Sequence, residues 1–234
     1  MHRVSDRTVT AIVIPGVAVA AAQAGVDRTH ENQKLIYREL QNGTAPSEII
    51  RMLQDDPRIE SRQFGIIDMQ GRTAGHSGER NGDVSGDIQG ESDDGILWSV
   101  QGNIIATEEA LTAAAIIMQH SPADIIDRVM LAMEVADARG GDVRCSCDRE
   151  PLPEAALCSG KTAHVSYLLA ADPDDGLGDF AVNHPEDMEA PYNDGDYYLY
   201  LMVVPTNTTA EEDANPVRTL RIRYDAWKAR VGRP

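Results

Sequence analysis

The sequence predicts an α+β fold: antiparallel sheets built from hairpins, covered by layers of helix. Three observations lead there. Short apolar strand patterns come in adjacent pairs joined by turn residues, as in a hairpin. Helix patterns also come in pairs, and strands do not alternate strictly with helices as they would in a doubly wound parallel sheet. A chain of 234 residues suits one good core better than two independent ones, so 1–234 is expected to be a single domain.

The elements follow in order. Residues 9–14 and 17–24 read as two buried strands joined at Pro15-Gly16. With His2, Arg3 and Arg7 ahead of it and Ala22-Gln23-Ala24 at its end, this stretch imitates a secretory leader. The Pro-Gly break and Asp6 in the basic region argue for strands instead. Asp27 or Thr29 is expected to cap a helix that runs to about Asn42 and stops at Gly43. Pro46-Ser47 opens a second helix, ended by Pro57. QFGIIDM and RTAGHS are then short strands joined through Asp68-Met69-Gln70-Gly71, and LWSVQGN is the next strand. Thr107 is expected to cap a helix with Glu108 and Glu109 in its first turn, where carboxylates suit the helix dipole. Ser121-Pro122 opens another, running to Arg139 and stopping at Gly140-Gly141. HVSYLLAA and YYLYLMVV are strands, and Asn215-Pro216 starts a last helix.

Charge excludes several partners. The net charge of -17 repels nucleic-acid phosphates and anionic membranes, so neither is expected as a partner. No segment is long and apolar enough to span a membrane. The acid concentrates in 78–95 and 172–196, both rich in Gly, Asp and Asn, and both read as surface loops or hairpin extensions. Within the second, DPDDGLGD offers carboxylates near glycines. Calcium could be held this way, but the EF-hand spacing and its final Glu are missing, so a solvated loop is the plainer reading. Calcium is the one cofactor the sequence suggests.

The chemistry-bearing motifs are few. Gly-rich phosphate loops, zinc-protease helices and nucleophile elbows are absent from the sequence. Cys145, Cys147 and Cys158 cluster between a helix and a strand. A disulfide from Cys158 to Cys145 or Cys147 is the first reading, and three thiols the second. A metal site completed by His164 is the third; Cys-x-Cys is tighter than the usual zinc pair, so no metal is expected. His76 and Ser77 are neighbours on a strand and point to opposite faces, so they are no ready-made dyad. Gln101-Gly102-Asn103 at the end of an apolar strand carries more signal. Such amides either fix a turn or orient a carbonyl, and the glycine between them admits a close neighbour.

Taken together, PGVAVAAAQA, the helix pair ending in Asp55-Asp56-Pro57, RQFGIIDMQGRTAGHSG, WSVQGNIIA, ARGGDVR and NPVRTLRIRYDAW resemble the DUF1028 family, from about Val9 to Trp227. The most specific pieces are Ser99 to Asn103, Gly140-Gly141-Asp142 and the turn at 67–72. The resemblance implies a four-layer αββα sandwich of the Ntn-hydrolase type, and a function that is uncharacterised. It implies a cleft between the sheets, lined by Gln101 and Asn103, with His76 and Asp142 as further candidates. Cysteines near the GGD motif resemble an exported subgroup, which implies an extracytoplasmic protein and favours the disulfide at Cys158; a cytoplasmic location is the alternative.

Ntn hydrolases use the first residue of the mature chain as nucleophile. Met1 is none, and Ser5, Thr8 or Thr10 would serve only after processing. The readings kept open are therefore an Ntn-type amidohydrolase or its inactive relative, a non-catalytic self-assembling protein, and a calcium-dependent binding module. The first would take a small amide. The second would form a homo-oligomer through an exposed sheet edge.

Overall fold

The computed structural model describes residues 11–25, 27, 29–145, 161–177 and 195–231. Its first sheet holds four strands in chain order: β1 (Ala11–Ile14), β2 (Ala18–Ala24), β3 (Arg62–Asp68) and β4 (Thr73–Ser77). Every neighbour is antiparallel. The β1–β2 turn closes with Val17 N–H donating to the Ile14 carbonyl at 2.9 Å, and Gly16 takes φ +68°, which favours glycine. Two further antiparallel pairs follow: β5 (Ser85–Glu91) with β6 (Leu97–Asn103), and β7 (Ser166–Ala170) with β8 (Leu199–Val203).

Helices close the stack on both sides. α1 (Glu31–Gln41) and α2 (Pro46–Leu53) pack on one face of the first sheet. The β5–β6 pair lies against β3 and β4. α3 (Glu108–His120) covers β5 and β6, α4 (Ile125–Asp137) packs on α3, and α5 (Pro216–Val231) covers β7 and β8 and touches α4. The order of layers is helix, sheet, sheet, helix, the α+β sandwich expected.

Strand periodicity decides what each layer touches. On β3, Phe64 and Ile66 face the helices and join Ile12, Ile14, Ile36, Leu40 and Ile49 in one apolar core. Burying side chains of this size stabilises by roughly 1.5–3 kcal/mol each. A second core sits under α5, around Met130, Leu168, Leu199, Leu220 and Tyr224. A third, around Trp98, Ala114 and Met118, joins β6 to α3.

Three local expectations are refined or corrected. Of the two readings of the acidic stretch 78–95, loop or hairpin extension, Ser85–Glu91 follows the second, as β5 paired antiparallel with β6. Its alternation is real: Gly86, Ile88 and Gly90 face Leu111, Trp98 and the α3 core, while Asp87 and Gln89 face β4. Gly and Asp composition hid that period. α4 begins at Ile125, and Asp124 caps it by accepting from Ile126 N–H and Asp127 N–H. Its carboxylate reaches those orphan donors, so Ser121 lies one turn too early. At α1 the N-cap is His30, in the left-handed region, while the Asp27 carboxylate accepts from Asn32 N–H at 3.0 Å. Thr107 does stand at the N-cap of α3, but its side chain makes no capping hydrogen bond.

Candidate functional site

The space between the two sheets is polar, and its residues are set by strand alternation. On the first sheet Gln23, Gln63 and Ser77 stand in register across β2, β3 and β4, with Gly65 and Gly75 one pair along. Facing them on β6 are Ser99, Gln101 and Asn103, and on β5 Asp87 and Gln89. Odd positions of LWSVQGN point into this layer, while Trp98 and Val100 join the core under α3.

Gln63 is the hub. It is fully buried, and its amide nitrogen donates to Ser77 Oγ at 2.8 Å, the Gly102 carbonyl at 2.8 Å and the Gly86 carbonyl at 3.1 Å. Its oxygen accepts from Gln23 at 2.6 Å and from Asn103 at 3.1 Å. One carboxamide thus ties β3 to four other strands, β2, β4, β5 and β6, and leaves little of its capacity unused.

Gln101 lies beside this hub. Its amide nitrogen donates to Ser99 Oγ, and its end presses on Gly65, where a Cβ would come within 2.2 Å of Nε2. Glycine at 65 is what lets the side chain lie flat on β3. Gly75 plays the same part for Gln89 and Asp87. Asp87 sits opposite Gln101 in register and accepts from Gln89 Nε2 at 3.3 Å. Burial pushes its carboxyl above the usual range, against smaller opposing pulls from His76 and the Gln89 amide.

The four residues singled out from sequence separate into three places. Gln101 and Asn103 face the inter-sheet layer. His76 does not: it pairs with Phe64 on the helix-facing side, its ring 6.3 Å from that of Phe64, and Nε2 lies 3.1 Å from the Ile59 carbonyl. That follows from the period of two, since Gly75 and Ser77 take the cleft face. Asp142 lies beyond the end of β6, in a bridge with Ile105, and its carboxylate is held by Arg144.

Around Asp142 a second cluster forms. Asp142, Cys145 and His164 bring their carboxylate, sulfur and ring nitrogen within 4.8 Å of one another. Cys145 is buried. Cys147 and Cys158 lie outside the described residues, and with them the expected disulfide. In the second acidic stretch, the Asp175 carboxylate accepts from the backbone N–H of Asp172 and of Tyr198, both at 2.8 Å, while 178–194 lie outside the described residues.

A cleft of about 730 Å³ opens elsewhere, against α1, α2 and the start of β3. Asp27, Asn32, Asp56 and Arg62 line it, and they already satisfy one another: Asp56 takes Arg62 Nε at 2.8 Å and Asn32 Nδ2 at 2.7 Å.

Sequence reasoning missed Gln63, Asp87 and the part of Asp142 in the cysteine cluster. Gln63 was visible as a polar residue in period with Gly65 and Ile67. Asp87 was hidden because its stretch was read only as loop or hairpin extension.

A helix–sheet–sheet–helix sandwich with a polar interior layer and a GGD turn at its strand end defines the class. The chain matches the family described as "Family of unknown function (DUF1028)" over residues 5–157, and it belongs to that family. The match runs through β1 to β6 and α1 to α4. No curated protein matches the chain. Among solved structures, the crystal structure of a DUF1028 protein from Silicibacter pomeroyi is similar, with 20% identity and a TM-score of 0.49. The similarity covers 58% of this chain and 57% of that one, so the chain spans a little over half of that protein's length. Among the described residues, no helix is long and apolar enough to cross a membrane.

Proposed function

We propose that the chain is a hydrolase of amide C–N bonds, with its reaction centre in the polar layer between the sheets. The supporting observation is the convergence of Ser99, Gln101 and Asp87 on one face of the β5–β6 pair, facing Gly65 and Gly75. The Ser99 hydroxyl accepts from Gln101, so its own proton is left to donate elsewhere. Asp87 stands diagonal to it on the neighbouring strand. A carboxyl pushed up by burial is a better general base than an ordinary aspartate once ionised.

In the proposed reaction Asp87 takes the Ser99 proton as Oγ attacks the amide carbonyl carbon. The Gln101 carboxamide, one N–H of which goes to Ser99 Oγ, offers its other to the developing oxyanion. The C–N bond breaks, the amine leaves with the proton from Asp87, and water hydrolyses the resulting ester to restore Ser99.

A non-catalytic relative is the competing reading, and Gln63 favours it: its amide is spent on holding the layers together. One experiment separates the two. The protein is incubated with a panel of acyl anilides and, separately, with a fluorophosphonate. The hydrolase reading expects aniline release and a covalent adduct on Ser99, both lost in Ser99→Ala at unchanged helix content. Neither release nor adduct in the folded protein would reject it and leave the architectural reading.

A further inference from the structure

We infer that Asp142, Cys145 and His164 form a three-ligand site for a divalent cation of the zinc class. The inference stands on a different part of the molecule from the proposed hydrolase centre and does not depend on it.

The first argument is donor chemistry. A carboxylate oxygen, a sulfur and an imidazole nitrogen converge to within 4.8 Å of one another. Zinc takes this mixture, whereas calcium and magnesium ask for oxygen alone. In a tetrahedral site with bonds of about 2.0–2.3 Å, donors stand about 3.3–3.8 Å apart. Side-chain adjustments of the order of 1 Å close the difference, without moving the backbone.

The second argument is that three separate segments are stitched together to make the cluster. The Gly141 carbonyl accepts from Ala106 N–H at 2.8 Å, and Val143 N–H donates to the Ile104 carbonyl at 3.1 Å. Asp142 N–H donates to the Thr162 carbonyl at 2.8 Å, bringing in the segment that carries His164. Cys145 N–H donates to the Asp142 carbonyl at 2.9 Å, a turn that brings residues 142 and 145 close together. Two glycines in the left-handed region make this approach feasible. A Cβ on Gly141 would lie 2.4 Å from the Thr162 carbonyl oxygen, and one on Gly140 would lie 2.7 Å from Ala106 Cβ. Behind the cluster, the Thr162 hydroxyl donates to Asp137, and the buried Asn215 amide reaches both Asp137 and Thr162. Supports of this kind hold ligand-bearing segments in place.

Arg144 shares the site. Its Nε lies 2.9 and 3.1 Å from the two Asp142 oxygens, and Nη2 also reaches Oδ2. The Arg144 backbone N–H also donates to Oδ1 at 2.9 Å, so three hydrogens of Arg144 orient Asp142 and one of its four lone-pair positions remains for a cation. A metal takes up sulfur as thiolate, and a neighbouring cation favours that form. Among the described residues three ligands converge, which leaves a fourth position open to a further donor.

The test is zinc and cobalt binding to the reduced full chain. After gel filtration from excess zinc, elemental analysis is expected to find about one zinc ion per chain. Cobalt should give a thiolate charge-transfer band that disappears in Cys145→Ser. His164→Ala should weaken zinc binding at least about tenfold. Zinc should also protect Cys145 from alkylation, mapped by peptide mass, in the wild type but not in His164→Ala. That mapping carries the test if Cys145→Ser does not fold. Wild-type protein free of zinc after the column, a charge-transfer band that survives Cys145→Ser, or Cys145 protection that survives His164→Ala would each overturn the site.

Discussion

The two faces of β3 obey different physics. Toward α1 and α2 the strand presents Phe64 and Ile66, buried to 1% and 0% exposure in a core made of aliphatic and aromatic side chains. Toward β6 it presents Gln63 and Gly65, and the opposing layer answers with carboxamides, a hydroxyl and a carboxylate. The first face is held by area removed from water, which is non-directional. The second is held by hydrogen bonds whose worth depends on every partner being in place. The carboxylates divide in the same way. Asp56, on the helix side, is half-buried, but Asn32, the Arg58 N–H and Arg62 together outweigh that desolvation and hold its carboxyl below the usual range. Asp87, between the sheets, meets only the weaker pulls of His76 and the Gln89 amide, and its desolvation pushes it up.

The contrast can be broken from the apolar side first. Phe64→Ala should cost about 3–5 kcal/mol, read from the urea midpoint, because the cavity lies in a packed core. A cost under about 1 kcal/mol would mean that the helix layer contributes little to the cooperative unit. On the other face, Gln63→Ala should cost about 1–3 kcal/mol. It leaves the Gly86 and Gly102 carbonyls and Asn103 without their donor or acceptor. Gln63→Leu should do no better, since volume is kept while those partners stay unsatisfied; full rescue by Leu would show that the layer is held by packing after all.

Gly65→Ala should cost about 1 kcal/mol, because the new methyl meets only the movable end of Gln101. Adding Gln101→Ala should recover most of that cost, so the double-mutant cycle should show coupling; strict additivity would separate the two residues. The smallest effect is on pH. The folded-state pKa of Asp87 is above the ordinary unfolded value of about 3.9. The folded protein therefore binds more protons in that window, and its stability from this group falls as pH rises from about 4 through the raised folded value. Asp87→Asn should remove that slope. Asp56 has the opposite sign: its contribution is present above the unfolded pKa and is lost as pH falls through the depressed folded value. A stability profile unchanged by Asp87→Asn would place Asp87 in water.

What was readable in the sequence follows the same division. The apolar face announced itself through period and turns: the β1–β2 hairpin at Pro15-Gly16, the strand around Phe64 and the helix after Thr107 all lie where hydrophobic spacing puts them. The fold class followed from those elements, and the family from its motifs. The polar face was mostly silent, because a buried glutamine looks like an exposed one until its partners are known. Gln101 and Asn103 stood out only through the glycine between them. β5 was lost because Asp87, Gln89, Gly86 and Gly90 carry the composition of a loop while keeping the alternation of a strand. The cluster at Asp142 was unreadable for another reason: its ligands come from segments that only backbone bonds between 104–106, 141–143 and 162 bring together.

The pairing of Gly65 with Gln101 has a consequence for how such a sequence changes over generations. The two residues share one small volume between sheets, 36 positions apart in the chain. A larger residue at 65 costs least beside a shorter one at 101. Substitutions at these positions should therefore arrive as pairs, and lineages should carry either the glycine with the long amide or its exchanged counterpart. The same reasoning ties Gly75 to Gln89 and Asp87. The interior layer should thus evolve in coupled steps, while residues on the apolar face drift more independently within the limits of volume.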